Sequence, residues 1–301
     1  MRRSDAAALV AMAAMWGASF MFARVLAPAI GWAWTAEARV VVGGGLLAAM
    51  MFARREAWHL RRDGGHYLLL GLVNSAIPFA LFAIAAQHIP AAYLSVGNAT
   101  APLWSAAIGV LLLGDPLGGR RLAGLLLGVA GVALTARAGG LPLDLAVALA
   151  LGATVLAALL YGVAGAWMKT RARRIEPLAL GAATQLAAAL WLLPVALAHG
   201  LPSALGTPRI ALLTVAFGVL CTGLPYLLYF PLMRRIGPTR AMTVNFLVPV
   251  FAMAWGLVFL GEPVTPGAIA GCVLVLAGVV LANQTTTPQP DADRNRGSAV
   301  R

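Results

Sequence analysis

Arg39 lies inside a long apolar run, 15 residues before Arg54, and so roughly 22 Å from that arginine if the run is helical. A cation at such depth costs about 2.5–3.5 kcal/mol if it faces lipid. It must therefore point inward, to a carboxylate, to free carbonyls or to water. Glu37 is two residues away, a spacing that does not share a helix face. An intrahelical ion pair is not expected, and Glu37 is expected to meet Arg24 near the outer surface instead. Arg39 then has two readings: a brace between helices, or a cavity-facing receptor or gate for an anionic group. Asn98 and Asn245 come next. Each stands four residues before a proline, Pro102 or Pro249, and a proline leaves the carbonyl four residues earlier without its helical donor. Pro78 and Pro225 repeat the spacing with Asn74 and Cys221. Freed carbonyls and amides can face a ligand or glue helices together. Trp16, Phe82, Tyr161, Trp167, Tyr226 and Tyr229 supply aromatic wall for an amphipathic organic molecule. Trp and Tyr also form interfacial belts, which suits Trp32, Trp34 and Trp58 near helix ends.

This is chemistry of recognition rather than of bond making. Catalysis inside a membrane needs paired acids, a metal cluster or an activated nucleophile within reach of one another. His59, His66, His88 and His199 all fall near helix ends or in loops, and no two carboxylates share an apolar run. No GxxxxGK[ST] phosphate loop occurs. Cys221 and Cys272 stand alone in apolar runs and suit neither a disulfide scaffold nor a metal site. No catalytic residue, metal or cofactor is expected.

The elements that position these residues follow from composition. The 301-residue chain is 61% hydrophobic and 11% charged, with mean hydropathy +0.86; soluble domains carry roughly 25% charged residues. It cannot clothe a globular surface and must face lipid. Ten apolar segments stand between polar breaks, at 6–23, 35–53, 66–86, 92–113, 121–136, 143–168, 177–198, 209–233, 238–260 and 265–283. Most have the roughly 20 residues a spanning helix needs. The first follows Met-Arg-Arg as a signal peptide would, but nine more follow it, so it reads as a helix. A net charge of +12 could suggest nucleic acid; a cytoplasmic excess of Lys and Arg explains it better. With the N-terminus inside, eighteen of the 22 Lys and Arg residues fall on the cytoplasmic side and Arg24, Arg137 and Arg209 outside. Residues 284–301 are polar and proline-containing and are expected to be a disordered cytoplasmic tail.

The phrase LGDP at 113–116 returns as LGEP at 260–263, an offset of 147. The same offset pairs Gly71 with Gly218, Pro78 with Pro225, Asn98 with Asn245, Pro102 with Pro249, Gly124 with Gly271 and Gly131 with Gly278. Upstream the offset slips: Trp16-Gly17 faces Tyr161-Gly162 at 145, and Arg39 faces Gln185 at 146. A gapless series through three segments is an internal repeat. Five helices per unit is an odd number, so the units must be inverted. The loops agree, since LGDPLGGRR carries two arginines where LGEPVTPG has none. The fold class is therefore an all-α integral membrane protein, with ten transmembrane helices as two inverted five-helix repeats, residues 1–138 and 139–283. Inverted repeats with a midplane site are the architecture of secondary transporters.

WGASF at 16–20, the Arg39 helix, the paired LGDP and LGEP turns, and the glycine-rich helices GLLLGVAGVAL and GCVLVLAGVVL stand in fixed order. Over residues 6–283 the chain resembles the EamA family of the drug/metabolite transporter superfamily. The resemblance implies a secondary active transporter that moves a small organic metabolite, an amino acid or related compound, by alternating access. Export is the expected direction. Export of cationic or multiple drugs or of nucleobases is the alternative, and a membrane-embedded enzyme and a channel are the rival classes. The expected lining is Trp16, Arg39, Asn74, Pro78, Phe82, Asn98, Tyr161, Gln185, Tyr226, Tyr229 and Asn245. Asp115 and Glu262 are expected to organise surface turns. Expected partners are the lipid bilayer, the substrate, and a proton or counter-substrate; a monomer and a homodimer both fit. The expected location is the cell membrane with both termini cytoplasmic. Reporter fusions at Arg62 and at the C-terminus should both report cytoplasm; an external C-terminus would remove the inverted repeat.

Overall fold

The computed structural model describes residues 2–283 except 116–117, 139, 141, 143 and 237–242. The expected tail, 284–301, and most of the RRIGPTR turn lie outside the described residues. Those described form nine helices and no strand. They are α1 (Arg3–Arg54), α2 (Leu60–Ala85), α3 (Ala91–Leu112), α4 (Gly119–Ala138), α5 (Leu145–Thr170), α6 (Pro177–Ala198), α7 (208–236), α8 (Val244–Leu260) and α9 (Pro266–Asn283). By length and composition α1 to α7 can each cross a membrane; α8 and α9 are shorter apolar helices.

In its described residues each of the ten apolar segments is mostly helical, and the first two lie in α1; residues 143 and 238–242 of the segments lie outside the described residues. Near residues 24–34, where the sequence suggests a break, the 52-residue α1 kinks at Gly31, whose φ of 79° and ψ of 155° are non-helical and divide it into two helical stretches. Only glycine reaches such a conformation without strain. The LGDP and LGEP turns are built alike. Gly114 and Gly261 take left-handed φ of 71° and 66°, and the N–H groups of Asp115 and Glu262 turn back to the carbonyls of Gly109 and Gly256 at 3.2 and 3.1 Å. The repeated phrase is thus a helix stop in which glycine returns donors to the last carbonyls.

Prolines also leave their mark. α2 widens into a π-turn at Gly71–Ala76 and α7 at Val219–Gly223, each just before a proline, Pro78 or Pro225. A π-turn absorbs the residue whose helical bond the ring removes.

Packing relies on small residues. Between α4 and α9, a Cβ at Gly124 would lie 2.5 Å from the Gly278 carbonyl, and one at Gly131 2.7 Å from the Gly271 carbonyl. Gly17 meets Ala252 of α8, and Gly162 meets Ser105 of α3, just as closely. Backbones approach this way where small side chains replace the hydrophobic drive that lipid abolishes. The outward surface is the reverse: Leu111, Leu126, Leu149, Leu190, Leu212 and Val258, on six helices, are at least 62% exposed. Apolar surface of that extent fits hydrocarbon, not water. Gly131→Leu should overpack the α4–α9 crossing by about 1–3 kcal/mol and lower the melting temperature in detergent. Gly45→Leu, with nothing within 4 Å of the added carbon, should leave it unchanged.

Candidate functional site

Six helices, α1, α2, α3, α5, α7 and α8, surround a cavity of about 320 Å³. Small-molecule sites begin at about that size. Eight of the eleven residues expected at a site line it: Trp16, Arg39, Asn74, Phe82, Asn98, Tyr161, Tyr226 and Asn245. The other three stand behind the wall. Pro78 is buried in α2 after its π-turn. Gln185 is fully buried and donates from Nε2 to Ser75 Oγ at 3.4 Å. Tyr229 lies against Trp16, ring centroids 5.8 Å apart, and so backs an aromatic that does face the cavity.

Arg39 is the cation of this site. Its Nε donates to Thr222 Oγ1 at 3.0 Å and its Nη2 to the Cys221 carbonyl at 3.4 Å. Its guanidinium carbon sits 3.8 Å from the centroid of the Phe79 ring and 5.0 Å from that of Phe217. Cys221 stands four residues before Pro225, so the carbonyl that receives Arg39 is the one the proline leaves without its regular helical donor. Among the described residues no carboxylate pairs with Arg39. A guanidinium carries five donors in a planar fork, and two of those are used. Arg39 is therefore held by the protein on one side and open to the cavity on the other.

Arg39 and Gln185 are counterparts in sequence, as are Thr222 and Ser75, at offsets of 146 and 147. Their contacts correspond too. Each long polar side chain donates to a hydroxyl in the π-turn of a helix from the other half of the chain.

One expected contact is different. Arg24 does not meet Glu37. Its Nε donates to Glu262 Oε1 at 2.7 Å, while Glu37 is 3% exposed and its Oε2 has no hydrogen-bond partner. The acid within Arg24's reach comes from the turn after α8, at the end of the bundle, whereas Glu37 is turned into the packed interior. Glu262 accordingly does more than shape its turn. Its Oε2 accepts the Ala91 N–H at 2.8 Å, and Arg24 Nη1 donates to the Ala86 carbonyl. These contacts join α1, the end of α2, the start of α3 and the α8–α9 turn. The cavity stops short of them. At the opposite, arginine-rich end its lining reaches Met168 and Asn245, each within two residues of a helix terminus.

Thr222, Phe79, Ser19, Ser105 and Met168 also line the cavity and were not singled out by sequence. A hydroxyl or phenyl in an apolar run looks like ordinary packing. Only Thr222 had a signal, its pairing with Ser75 across the repeat. Among the described residues no group of three His, Cys, Asp or Glu could hold a metal ion.

Comparison with known proteins agrees with this architecture. The sequence profile of the EamA-like transporter family matches twice, over residues 4–137 and 148–284. The "Uncharacterized transporter YvbV" of Bacillus subtilis (strain 168) is 26% identical over 257 residues, 84% of this chain and 83% of its own. The "Probable terminal-alkyne amino-acid exporter" of Streptantibioticus cattleyicolor is 26% identical over 282 residues, 93% of each chain. A solved structure described as "Crystal structure of protein" superposes with a TM-score of 0.64 at 20% identity, over 94% of this chain and 97% of that one. Its likeness speaks for the fold alone. With both matched stretches together covering nearly the whole chain, the protein belongs to the EamA-like transporter family, multi-pass membrane transporters of small molecules within the drug/metabolite transporter superfamily.

Proposed function

We propose that this protein is a secondary transporter that exports a small organic metabolite, an amino acid or close relative, from the cytoplasm by alternating access through the central cavity. The observation that carries the reading is a half-buried Arg39 with no carboxylate partner among the described residues, facing a cavity lined from both halves of the chain. A cation without a counter-ion in such a place favours a substrate that brings its own anion, and a carboxylate fits the guanidinium fork in bidentate geometry. Trp16, Phe82, Tyr161 and Tyr226 offer the apolar wall for the rest of the molecule. The lining residues include no Asp or Glu, so a cationic drug would meet a like charge and no acid. This weighs for the amino-acid reading over the cationic one. The exporter name carried by the Streptantibioticus relative points the same way.

The ten-helix, two-repeat arrangement belongs to the same proposal, with residues 1–138 and 139–283 as inverted units in the cell membrane and both termini cytoplasmic. Its supports are the double family match, the bend at Gly31 that divides α1 into two spans, and the corresponding contacts of Arg39 and Gln185. Two units inverted about a pseudo-twofold axis give a transporter two exchangeable gates. In this state the cavity faces the arginine-rich end, the cytoplasmic one by the positive-inside rule.

The test uses purified protein in liposomes, with a panel of L-amino acids and their amides as probes. Saturable uptake and counterflow are expected for a carboxylate, with the matching amide transported at least about tenfold less well, a discrimination within reach of one lost charged hydrogen-bond pair. Arg39→Gln should abolish transport and Arg39→Lys should keep part of it as a point charge. Melting temperatures measured alongside separate this from a brace, for which Lys fails with Gln and both unfold early. A stable Arg39→Gln variant with unchanged kinetics would falsify the reading, and flux without saturation or counterflow would mean a channel.

A further inference from the structure

On the proposed reading the Arg24–Glu262 pair sits at the closed, arginine-poor end of the cavity, and the repeat gives it a counterpart at the open, arginine-rich one. The offset of 145 that pairs Trp16-Gly17 with Tyr161-Gly162 carries Arg24 onto Lys169, and the offset of 147 carries Glu262 onto Asp115. Both positions keep their charge sign. The spacing to the packing contacts is also kept. Arg24 is seven residues past Gly17 and Glu262 ten past Ala252, which Gly17 meets together with Phe251; Lys169 is seven past Gly162 and Asp115 ten past Ser105, which Gly162 meets together with Trp104. Two pairs of opposite charge therefore stand at matched depths on opposite ends of the bundle.

The two pairs are not in the same condition. At the closed end Arg24 and Glu262 are joined at 2.7 Å with side chains 26% and 12% exposed, and both also hold backbone groups of the 86–91 loop. At the open end Lys169 is exposed and makes no ion pair with Asp115. Asp115 is 35% exposed and lies 3.6 Å from Arg121 of its own half. One latch is made and its counterpart is unmade.

We propose that Arg24–Glu262 and Lys169–Asp115 are alternating latches of the transport cycle, each closing one end of the cavity and each made only when the other is broken. The proposal rests on the alternating-access reading and names the side chains that set its two states. In the state described, Arg24 and Glu262 pin α1 and the α8–α9 turn to the loop between α2 and α3, which shuts the arginine-poor end. Opening that end breaks the pair. The inverted motion brings the α3–α4 turn and the end of α5 together, so that Asp115 exchanges Arg121 for Lys169. The charges are partly buried when paired and hydrated when apart, which keeps the two states close in energy, as an equilibrium that must reverse each cycle requires. Two further charged pairs stand at that end among the described residues, Arg235 with Asp5 at 3.3 Å and Arg62 with Asp63 at 2.7 Å, and neither involves Lys169 or Asp115.

The test reads accessibility and needs no substrate. The reporter is Ser105→Cys, in the cavity wall, with Cys221 and Cys272 replaced by Ala. It is labelled with a membrane-impermeant thiol reagent in right-side-out and inside-out vesicles, each variant being first checked for monodispersity. The parent should label from the arginine-rich face alone. Glu262→Gln should raise labelling from the opposite face by about tenfold, within the usual range of conformational coupling. Adding Lys169→Gln to Glu262→Gln should reverse that gain, because the state so favoured loses its own latch; Lys169→Gln alone should show no gain. A well-folded Glu262→Gln variant with labelling unchanged from both faces overturns the first latch, and a double variant that keeps the gain overturns the second. A reporter that labels from neither face in any variant overturns the transport cavity itself and the latches with it, a failure separable from the other two.

Discussion

A guanidinium inside an apolar bundle has to find acceptors, and the arrangement around Arg39 follows from that need. Hydrocarbon supplies none, so the protein must present them from its own backbone and hydroxyls. Pro225 removes a helical donor, the chain widens into a π-turn at Val219–Gly223, and the Cys221 carbonyl and Thr222 hydroxyl become available at one point of α7. Phe79 and Phe217 close over the charge as ring faces, which a guanidinium tolerates better than an aliphatic wall. With these contacts Arg39 is fixed in place without being neutralised. A carboxylate in the wall would neutralise it and leave it little to offer a ligand.

The bundle around it has a core of large side chains such as Met12, Leu26, Tyr93 and Phe217, and several of its helix crossings are set by backbones brought together at glycine: α4 on α9 through Gly124, Gly131, Gly271 and Gly278, α1 on α8 through Gly17, and α3 on α5 through Gly162. Interfaces of this kind pack tightly yet carry few directional bonds. That leaves the ends of the cavity to be decided by a small number of polar contacts, of which Arg24 with Glu262, Ala86 and Ala91 is the most connected. Contacts of that kind can change partners without unpacking the helices, which is what the proposed alternation of the two ends requires.

The corresponding contacts of Arg39 and Gln185 also show where the two halves differ. The position that is arginine in one half is glutamine in the other, and the glutamine lies behind the wall, fully buried on Ser75. Corresponding hydrogen bonds therefore coexist with a difference in charge. A cavity with one cation in its wall offers a carboxylate one place to bind, and so favours one orientation of the proposed substrate.

Composition and periodicity by themselves determined the membrane class, the ten apolar runs, the family resemblance and the internal repeat, because bilayer thickness and turn chemistry act on local sequence. They also gave part of the cavity wall: eight of the eleven residues chosen line it, since polar and aromatic groups at repeated, proline-marked positions have few other uses at that depth. Tertiary structure decided the remainder. Whether a side chain lies in the wall or one layer behind it, as with Gln185 and Tyr229, depends on helix rotation, which a run apolar on nearly every face does not encode. The partner of Arg24 is Glu262, 238 residues away, rather than Glu37, because proximity between the ends of α1 and α8 is set by how the halves meet. Where the first helical stretch of α1 gives way to the second is set at Gly31, a non-helical residue that hydropathy does not mark. Local sequence specifies which groups must be satisfied; only the packed bundle determines with whom.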